Sequence, residues 1–184
     1  MAKSTLAKRS IILGVTGSIA AYKAAEIVSF LIQQQSHVTV VMTRAATQLI
    51  QPLTFQTLSH HQVYTELFSP QNSFNPEHIA LADKADALLI APATANIIGK
   101  AAHGIADDLL STLIMTVRVP VLFAPAMNDR MYLNPIVQNN IRSLKKYGHR
   151  FITPEKGHLA CGTKGIGRMA RLETIIKQLE SVLA

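Results

Sequence analysis

The chain has 184 residues, of which 48% are apolar, and its 18 Lys and Arg residues against 11 Asp and Glu residues give a formal net charge of +7. This length favours one domain, and the apolar fraction is enough for a sizeable core. The positive charge indicates anionic partners such as phosphorylated small molecules. It is scattered along the chain without long basic runs or interleaved aromatic residues, so we expect no nucleic-acid partner.

The single cysteine, Cys161, excludes an internal disulfide and argues against a cysteine-rich metal site. We therefore expect no bound metal and a reducing, cytoplasmic environment. The apolar stretch 11–15 is too short for a secretory signal of roughly 7–15 apolar residues. No segment reaches the roughly 18 consecutive apolar residues of a membrane span, so we expect no membrane association.

Short apolar runs alternate with segments of helical periodicity along the chain. Strands are predicted at 10–15, 37–43, 85–93 and 119–126, with a late strand near 150–153. Helices are predicted at 19–35, 45–50, 78–84, 94–102, 107–116, 134–147 and 171–183. In the first helix, one face would be shared by Ile19, Tyr22, Ile27, Phe30 and Leu31. The alternation predicts an α/β fold with a doubly wound parallel sheet.

Three segments between these elements are candidates for covering a ligand. Long loops in compact domains often act as lids, and 66–77 and the glycine-rich 154–168 are predicted to be such loops. The segment 125–135 follows a buried strand and contains two methionines and a tyrosine. In open parallel sheets, ligands bind beyond the carboxyl ends of the strands. We therefore expect the apolar side chains of 125–135 to cover a ligand rather than face water.

Two strand ends carry small and hydroxyl-bearing residues. The sequence GVTGSIAAY (14–22) indicates either a phosphate-binding turn or a tight turn with Ser18 as a helix N-cap. Thr43 and Arg44, at the next strand end, would add a hydroxyl and a charge to the same anion. The sequence APATAN (91–96) indicates either a ring-binding surface, with Asn96 bonding to an imide edge, or another helix cap.

Three further candidates carry ionisable groups. His78 begins a helix near the expected crevice, although most histidines are ordinary surface residues. Asp107 and Asp108 form either a reactive carboxylate pair or the acidic start of a helix, and the second interpretation is favoured. Cys161 lies among glycines, where Lys164 and Arg168 would lower its pKa, although a lone cysteine is often a small buried apolar residue.

Several motifs together resemble the homo-oligomeric flavin-containing cysteine decarboxylases. The matching stretches are GVTGSIAAYK (14–23), HIALADKADALLIAPATANIIGK (78–100), AAHGIADDLLST (101–112), PAMNDRMYLNP (125–135) and ACGTKGIGRM (160–169). They span nearly the whole chain in the order of the family. The Pro-x-Met-Asn-x-x-Met motif with a downstream Ala-Cys-Gly is its most specific part.

The resemblance implies a Rossmann-like (flavodoxin-like) three-layer α/β/α flavoprotein comprising one domain, 1–184, that assembles into trimers or dodecamers with sites at subunit interfaces. It implies FMN as the cofactor, bound by Gly17, Ser18, Ile19, Thr43, Arg44, Ala45, Thr94, Ala95, Asn96, Ile97 and Ala126. Its catalytic residues would be His78 as base, Asn128 as substrate ligand and Cys161 as acid. The substrate would contact Asn128, Met131, His158, Leu159 and Ala160, under a flexible clasp at 125–135 and a flap at 154–168.

The activity implied by the resemblance is FMN-dependent decarboxylation of 4′-phospho-N-pantothenoyl-L-cysteine to 4′-phosphopantetheine, through an enethiol intermediate, in coenzyme A biosynthesis. Two departures from the family pattern are Ile97, where the family has Thr, and Tyr132, where it has Trp. Alternatives are a peptidyl-cysteine decarboxylase, a flavin prenyltransferase and a non-catalytic flavin-binding regulator. Whether the chain is a stand-alone enzyme or part of a fusion with a synthetase is left open.

Overall fold

The computed structural model describes residues 5–68 and 77–184, which contain a six-stranded parallel sheet. Its strands are β1 (Ser10–Val15), β2 (His37–Met42), β3 (Val63–Tyr64), β4 (Ala87–Ala93), β5 (Val121–Pro125) and β6 (Arg150–Phe151). Their spatial order is β3-β2-β1-β4-β5-β6, the doubly wound Rossmann order, with its switch point between β1 and β4. The predicted fold class is confirmed.

A short 3-10 helix, Ile19–Lys23, precedes the first α-helix. The α-helices are α1 (Ala24–Gln33), α2 (Arg44–Thr47), α3 (Pro52–Ser59), α4 (Glu77–Lys84), α5 (Ala95–Ala102), α6 (Leu109–Thr116), α7 (Asp129–Tyr132), α8 (Pro135–Lys146) and α9 (Leu172–Leu183). Within the described ranges, none of these helices has the length and apolarity needed to cross a bilayer.

The sheet divides the core into two apolar layers. Side chains alternate across a strand, so Ile11 and Leu13 of β1 pack on one face while Ile12 packs on the other. Helices α1 and α9 bury residues in the first layer, whereas α5, α6 and α8 bury theirs in the second. The result is the predicted α/β/α arrangement, with the carboxyl ends of the strands left open at one edge.

The first predicted helix differs from expectation at its start. Its first five residues form a 3-10 turn, which has three residues per turn and therefore shifts the buried face. Ile27 and Leu31 are buried as predicted, but the side chains of Ile19 and Tyr22 are 64% and 60% exposed. The prediction that these two share the core face is wrong, and both instead lie at the open edge of the sheet.

Three elements were not predicted, α3, β3 and the one-turn helix α7, and one predicted loop is structured. Helix α3 begins with Pro52 in its first turn, a position where proline is favoured, and the short edge strand β3 follows it. The segment 154–168 forms an antiparallel hairpin of β7 (Glu155–His158) and β8 (Lys164–Arg168). These strands were not predicted because the segment is rich in glycine, which has low strand propensity. Most of the predicted loop 66–77 lies outside the described residues.

Candidate active site

Two adjoining clefts open at the carboxyl edge of the sheet. The inner cleft, about 640 Å³, is lined by Thr16, Gly17, Thr43, Arg44, Ala45, Thr65, Glu66, Leu67, Phe68, Thr94, Ala95, Asn96, Ile97, Lys100, Asp107, Asp108 and Met131. The outer cleft, about 680 Å³, is lined by Gly17, Ser18, Ile19, Ala20, Tyr22, Lys23, Thr94, Ala95, Ala126, Met127, Asn128, Met131, His158, Leu159, Ala160, Cys161, Gly167, Arg168 and Met169. The clefts are continuous because they share four residues: Gly17, Thr94, Ala95 and Met131.

Almost all the residues proposed for cofactor and substrate line these two clefts. The inner cleft contains eight of the cofactor candidates, and the other three, Ser18, Ile19 and Ala126, line the outer cleft. Every substrate candidate lines the outer cleft. His78 is the exception: it is half-buried at the start of α4, which packs against α6, and it lines neither cleft.

Three hydroxyl side chains begin helical segments at the clefts. Ser18 Oγ accepts from the Ala20 N–H at 3.4 Å, and Thr43 Oγ1 accepts from the Ala46 N–H at 3.3 Å. Thr94 Oγ1 accepts from the Ile97 N–H at 3.4 Å. The capping interpretation therefore holds for Ser18 and Thr94, and Thr43 also caps a helix, which was not predicted. These long bonds leave the hydroxyls close to the clefts, where neighbouring N–H groups at helix starts also favour an anion.

Gly17 is required by a close approach between two loops. A Cβ at this position would lie 2.5 Å from the Cβ of Ala45, in the one-turn helix α2 of the segment that follows β2. Such a distance is shorter than real carbon contacts allow, so any side chain at 17 would push the two loops apart. The glycine thereby keeps the Gly17 and Ala45 walls of the inner cleft together.

Thr16 lines the inner cleft and was not among the predicted site residues. It is buried, its hydroxyl donates to the Pro92 carbonyl at 2.7 Å, and the same oxygen accepts from the Thr94 N–H at 3.1 Å. These bonds tie the end of β1 to the end of β4 at the topological switch point. The signal available in the sequence was a hydroxyl residue directly after a buried strand, but its partners lie far away in the chain.

Asp107 and Asp108 both pair with Lys100 rather than forming a free carboxylate pair. Their oxygens lie 2.5 Å and 2.7 Å from Lys100 Nζ. Asp108 also caps α6, accepting from the Ser111 N–H at 2.8 Å in a capping box. Burial by itself raises the pKa of Asp108, but hydrogen bonds from Lys100 and Ser111 outweigh it and lower the pKa. The helix-start interpretation is correct.

At Lys100, burial tends to lower the pKa, and the bonds to Asp107 and Asp108 reverse this effect and raise it. Lys100 is therefore held as a cation at the wall of the inner cleft.

The clasp, residues 125–135, contacts the β7–β8 hairpin directly. The Met127 N–H donates to the Gly167 carbonyl at 3.0 Å, and a Cβ at Gly165 would lie 2.6 Å from Asp129 Oδ2. Gly167 has a φ of +146° and its Cα faces the carbonyl oxygen of Met127. These glycines are thus required by close packing of the hairpin against the clasp.

Within the clasp, the apolar side chains have two environments. Met127 and Tyr132 pack against the second apolar layer of the core, while Met131 is 49% exposed and lines both clefts. The aromatic ring at 132 therefore anchors the clasp, and Met131 faces the space available to a ligand. At the other departure from the family pattern, the Ile97 side chain is buried in the same layer and offers no hydroxyl to the cleft.

Cys161 lies at the exposed tip of the hairpin and contacts the clasp. Asn128 Nδ2 donates to its Sγ at 3.2 Å, and Thr163 Oγ1 lies 3.1 Å from the same sulfur. Hydrogen bonding by Thr163, and secondarily by Asn128, lowers the pKa of the Cys161 thiol. The expected direction is correct, but the cause is these hydrogen bonds rather than Lys164 or Arg168. The interpretation of Cys161 as a buried apolar residue is wrong.

The family model described as Flavoprotein matches residues 1–184 of this chain. The chain belongs to the flavoprotein family. This flavoprotein is 48% identical over 179 residues to a coenzyme A biosynthesis bifunctional protein of Bacillus subtilis, covering 97% of this chain and 44% of that protein. It is also 48% identical over 177 residues to a probable phosphopantothenoylcysteine decarboxylase of Streptococcus mutans, covering 95% of this chain and 99% of that protein.

The chain thus spans less than half of the first relative and nearly all of the second. Solved structures agree with this relationship. A mutant PPC decarboxylase complexed with pantothenoylaminoethenethiol superposes with a TM-score of 0.84 at 31% identity, covering 95% of this chain and 97% of that chain. The FMN-dependent cysteine decarboxylase SpaF also superposes with a TM-score of 0.84, at 30% identity and 97% coverage of both chains.

Proposed function

We propose that this flavoprotein decarboxylates 4′-phospho-N-pantothenoyl-L-cysteine to 4′-phosphopantetheine, with FMN as cofactor and an enethiol intermediate, as a step of coenzyme A biosynthesis. The observation that carries the proposal is the contact between Asn128 and Cys161 in a cleft continuous with a second, inner cleft. The names of the relatives support the same activity.

The inner cleft fits a flavin mononucleotide. Its volume of about 640 Å³ is typical of small-molecule sites, which range over roughly 300–1,000 Å³. Hydroxyls and helix-start N–H groups near Thr43 and Thr94, with those near Ser18 in the adjoining outer cleft, suit a phosphate, and Arg44 adds positive charge. Asn96 offers an amide to the polar edge of a ring. A bound flavin supplies the electron sink that a simple N-acyl cysteine lacks when its carboxylate leaves.

Asn128 is suited to orient the substrate carboxylate. Its Oδ1 already accepts from the Arg130 N–H at 2.9 Å, so the side chain presents its Nδ2 donor to the cleft. A neutral amide binds a carboxylate without adding a repelling negative charge. Cys161 lies at this donor and is placed to protonate a carbon of the enethiol left after CO2 departs.

Two cations favour a phosphorylated small molecule over a peptide. Lys23 and Arg168 both line the outer cleft, and no carboxylate among the described residues lines it with them. Neither cation has an ion-pair partner in the part of the chain that the structure describes. Unpaired cations in a cleft attract and retain an anionic ligand, and the phosphate of the proposed substrate is such a ligand.

His78 is proposed to act as the base in a homo-oligomer, a trimer or dodecamer. In one chain it lies outside both clefts, so its role requires a site shared between subunits. The side chains of Ile19 and Tyr22 are apolar and exposed at the outer cleft, as expected if a second subunit covers this region. We propose a cytoplasmic location, because reducing conditions there would keep the thiol of Cys161 free.

The decisive experiment is anaerobic incubation of the FMN-loaded protein with 4′-phosphopantothenoylcysteine, with products read by mass spectrometry. Formation of 4′-phosphopantetheine is the expected result. Accumulation of the enethiol alone would contradict the role of Cys161 and favour decarboxylation of peptidyl cysteines, which would be tested next. No CO2 release would contradict the proposal and favour a prenyltransferase or a flavin-binding regulator.

A further inference from the structure

The tip of the β7–β8 hairpin folds back on itself around Cys161. The Leu159 N–H donates to the Thr163 carbonyl at 2.8 Å, and the Gly162 N–H donates to the Leu159 carbonyl at 2.9 Å. Gly162 has a φ of +83°, in the left-handed region that favours glycine. This turn reverses the chain directly after Cys161 and brings Thr163 back toward its side chain.

The sulfur of Cys161 consequently has two polar partners from different segments. Thr163 Oγ1 lies 3.1 Å from Sγ on the hairpin side, and Asn128 Nδ2 lies 3.2 Å away on the clasp side. Asn128 has a second role toward the substrate carboxylate in the proposed function, so its amide cannot serve the sulfur throughout the reaction. The Thr163 hydroxyl remains as a partner that belongs to the same turn as the sulfur.

We propose that Thr163 is a positioning residue for Cys161, which directs the thiol toward the clasp and stabilises the thiolate left after proton donation. This inference rests on the proposed function. In the step concerned, the S–H bond breaks and the proton forms a new C–H bond with the electron pair of the enethiol double bond. The carbon that bears the sulfur would then accept a hydride, which a bound reduced flavin would supply, as the second new C–H bond. The Cys161 thiolate regains its proton from water.

The electrostatics of the tip agree with this role. Hydrogen bonds from the side chain and backbone of Thr163 are the main causes of the lowered pKa of Cys161. A stabilised thiolate makes its thiol a stronger acid. The elements that carry or face the sulfur also bear other charged and titratable groups. They are His158, Lys164 and Arg168 on the hairpin, Asp129 and Arg130 on the clasp, and Lys23 on the opposite wall of the cleft. All of them stay in place when only the Thr163 hydroxyl is removed.

The test uses Cys161 as its own reporter, because it is the single cysteine of the chain. The FMN-loaded protein would be alkylated with iodoacetamide over a range of pH and followed by intact mass spectrometry. For Thr163→Val, we expect the alkylation rate of Cys161 at neutral pH to fall about threefold or more, because less thiolate is present. The midpoint of the curve of alkylation rate against pH should shift to higher pH. Thr163→Ser keeps the hydroxyl and should react like the unchanged protein. Thr153→Val removes an exposed hydroxyl ahead of the hairpin and is the matched control.

An unchanged midpoint in Thr163→Val would overturn the proposal. Thr163→Ala gives a second test if the valine variant distorts the turn, and thermal melting of each variant reports whether it is folded. During turnover, the ratio of enethiol to 4′-phosphopantetheine should rise in Thr163→Val and equal that of the unchanged protein in Thr163→Ser. An unchanged ratio in Thr163→Val would contradict the assigned proton-transfer role. The alkylation assay needs no turnover, so a protein that releases no CO2 would refute the proposed function without affecting this measurement.

Discussion

The inner and outer clefts adjoin but are constructed differently. The inner cleft is formed by strand ends and helix starts, and its walls are joined by backbone-directed bonds such as those of Thr16 to Pro92 and Thr94. The reactive groups of the outer cleft lie on a hairpin tip and at the N-cap of the one-turn helix α7. The Met127–Gly167 bond and the Asn128–Cys161 contact join these two segments. The sheet itself therefore places the proposed cofactor residues, whereas two peripheral segments must meet to assemble the groups proposed for the chemistry.

The two clefts also differ in charge. In the inner cleft, the cation of Lys100 is neutralised by Asp107 and Asp108, which hold α5 and the start of α6 together. In the outer cleft, Lys23 and Arg168 have no ion-pair partner among the described residues. Lys100 and its two carboxylates therefore serve structure. Arg44 in the inner cleft, like Lys23 and Arg168 in the outer cleft, has no ion-pair partner among the described residues and is available to a ligand.

The largest expected effect comes from separating the hairpin from the clasp. In Gly167→Ala, the new Cβ would collide with the Met127 carbonyl oxygen at a φ of +146°. We expect formation of 4′-phosphopantetheine to fall about a hundredfold, since small displacements of reacting groups cost about that much. FMN binding, measured by fluorescence quenching, should remain because the inner cleft is untouched.

Gly148→Ala is the matched control for this change. Gly148 also has a positive φ, +91°, but nothing lies within 4 Å of its Cβ position. This variant bears the backbone cost of a left-handed alanine without disturbing the clasp, and its turnover should match that of the unchanged protein. Equal losses in both variants would mean that backbone strain, not the hairpin–clasp contact, governs activity.

A change in the inner cleft should weaken FMN binding and leave the hairpin–clasp contact intact, the reverse of the result expected for Gly167→Ala. Gly17→Ala places a Cβ 2.5 Å from the Cβ of Ala45, and overpacking of this kind costs about 1–3 kcal/mol. We expect FMN affinity to fall roughly tenfold in a fluorescence titration, and the reactivity of Cys161 toward iodoacetamide to stay unchanged. Adding Ala45→Gly removes the closest contact and should restore part of the affinity. Unchanged FMN affinity in Gly17→Ala would remove these loops from the cofactor site.

A smaller effect is expected from removing one cation of the outer cleft. Lys23→Met should raise the KM for the phosphorylated substrate about fivefold to tenfold, which corresponds to about 1–1.4 kcal/mol and lies within the usual net range for one hydrogen bond. The KM for unphosphorylated pantothenoylcysteine should change little. An equal rise for both substrates would assign Lys23 to another part of the ligand, and weaker FMN binding instead would assign it to the cofactor phosphate.

The smallest effect concerns stability at the wall of the inner cleft. The pKa of Asp108 in the folded protein lies below its ordinary value of 3.8, so its contribution is complete above that pH and is lost as the pH falls through the lowered pKa. Asp108→Asn keeps a capping oxygen but removes the charge, and should cost about 1 kcal/mol in urea unfolding at pH 7. The difference from the unchanged protein should shrink toward pH 3.

Asp107→Asn is the comparison for that measurement. Asp107 also pairs with Lys100, but its side chain is 58% exposed and it does not cap α6. We expect a smaller loss of unfolding free energy than for Asp108→Asn. A loss at Asp108→Asn that persists unchanged at pH 3 would show that its charge does not contribute.

Much of the fold was predictable because the parallel strands are buried on both faces. Such strands are continuous apolar runs, as in β1 and β4, and the segments between them carry helical periodicity. Where local patterns were weak, prediction failed: β3 has two residues, and the hairpin strands contain Gly157, Gly165 and Gly167. The predicted apolar face of the first helix wrongly included Ile19 and Tyr22. These residues lie in a 3-10 turn, which has a different period from the α-helix that follows it.

The sequence by itself determined the doubly wound sheet and the edge at which its ligands should bind, because apolar runs, helix periods and strand-end motifs are local patterns. Only the tertiary structure decided which side chains meet there. Asn128 and Cys161 are 33 residues apart, and Thr16 and Pro92 are 76 apart. Contacts over such separations depend on how the strands are ordered and how the hairpin packs on the clasp, and no local pattern in the sequence specifies either.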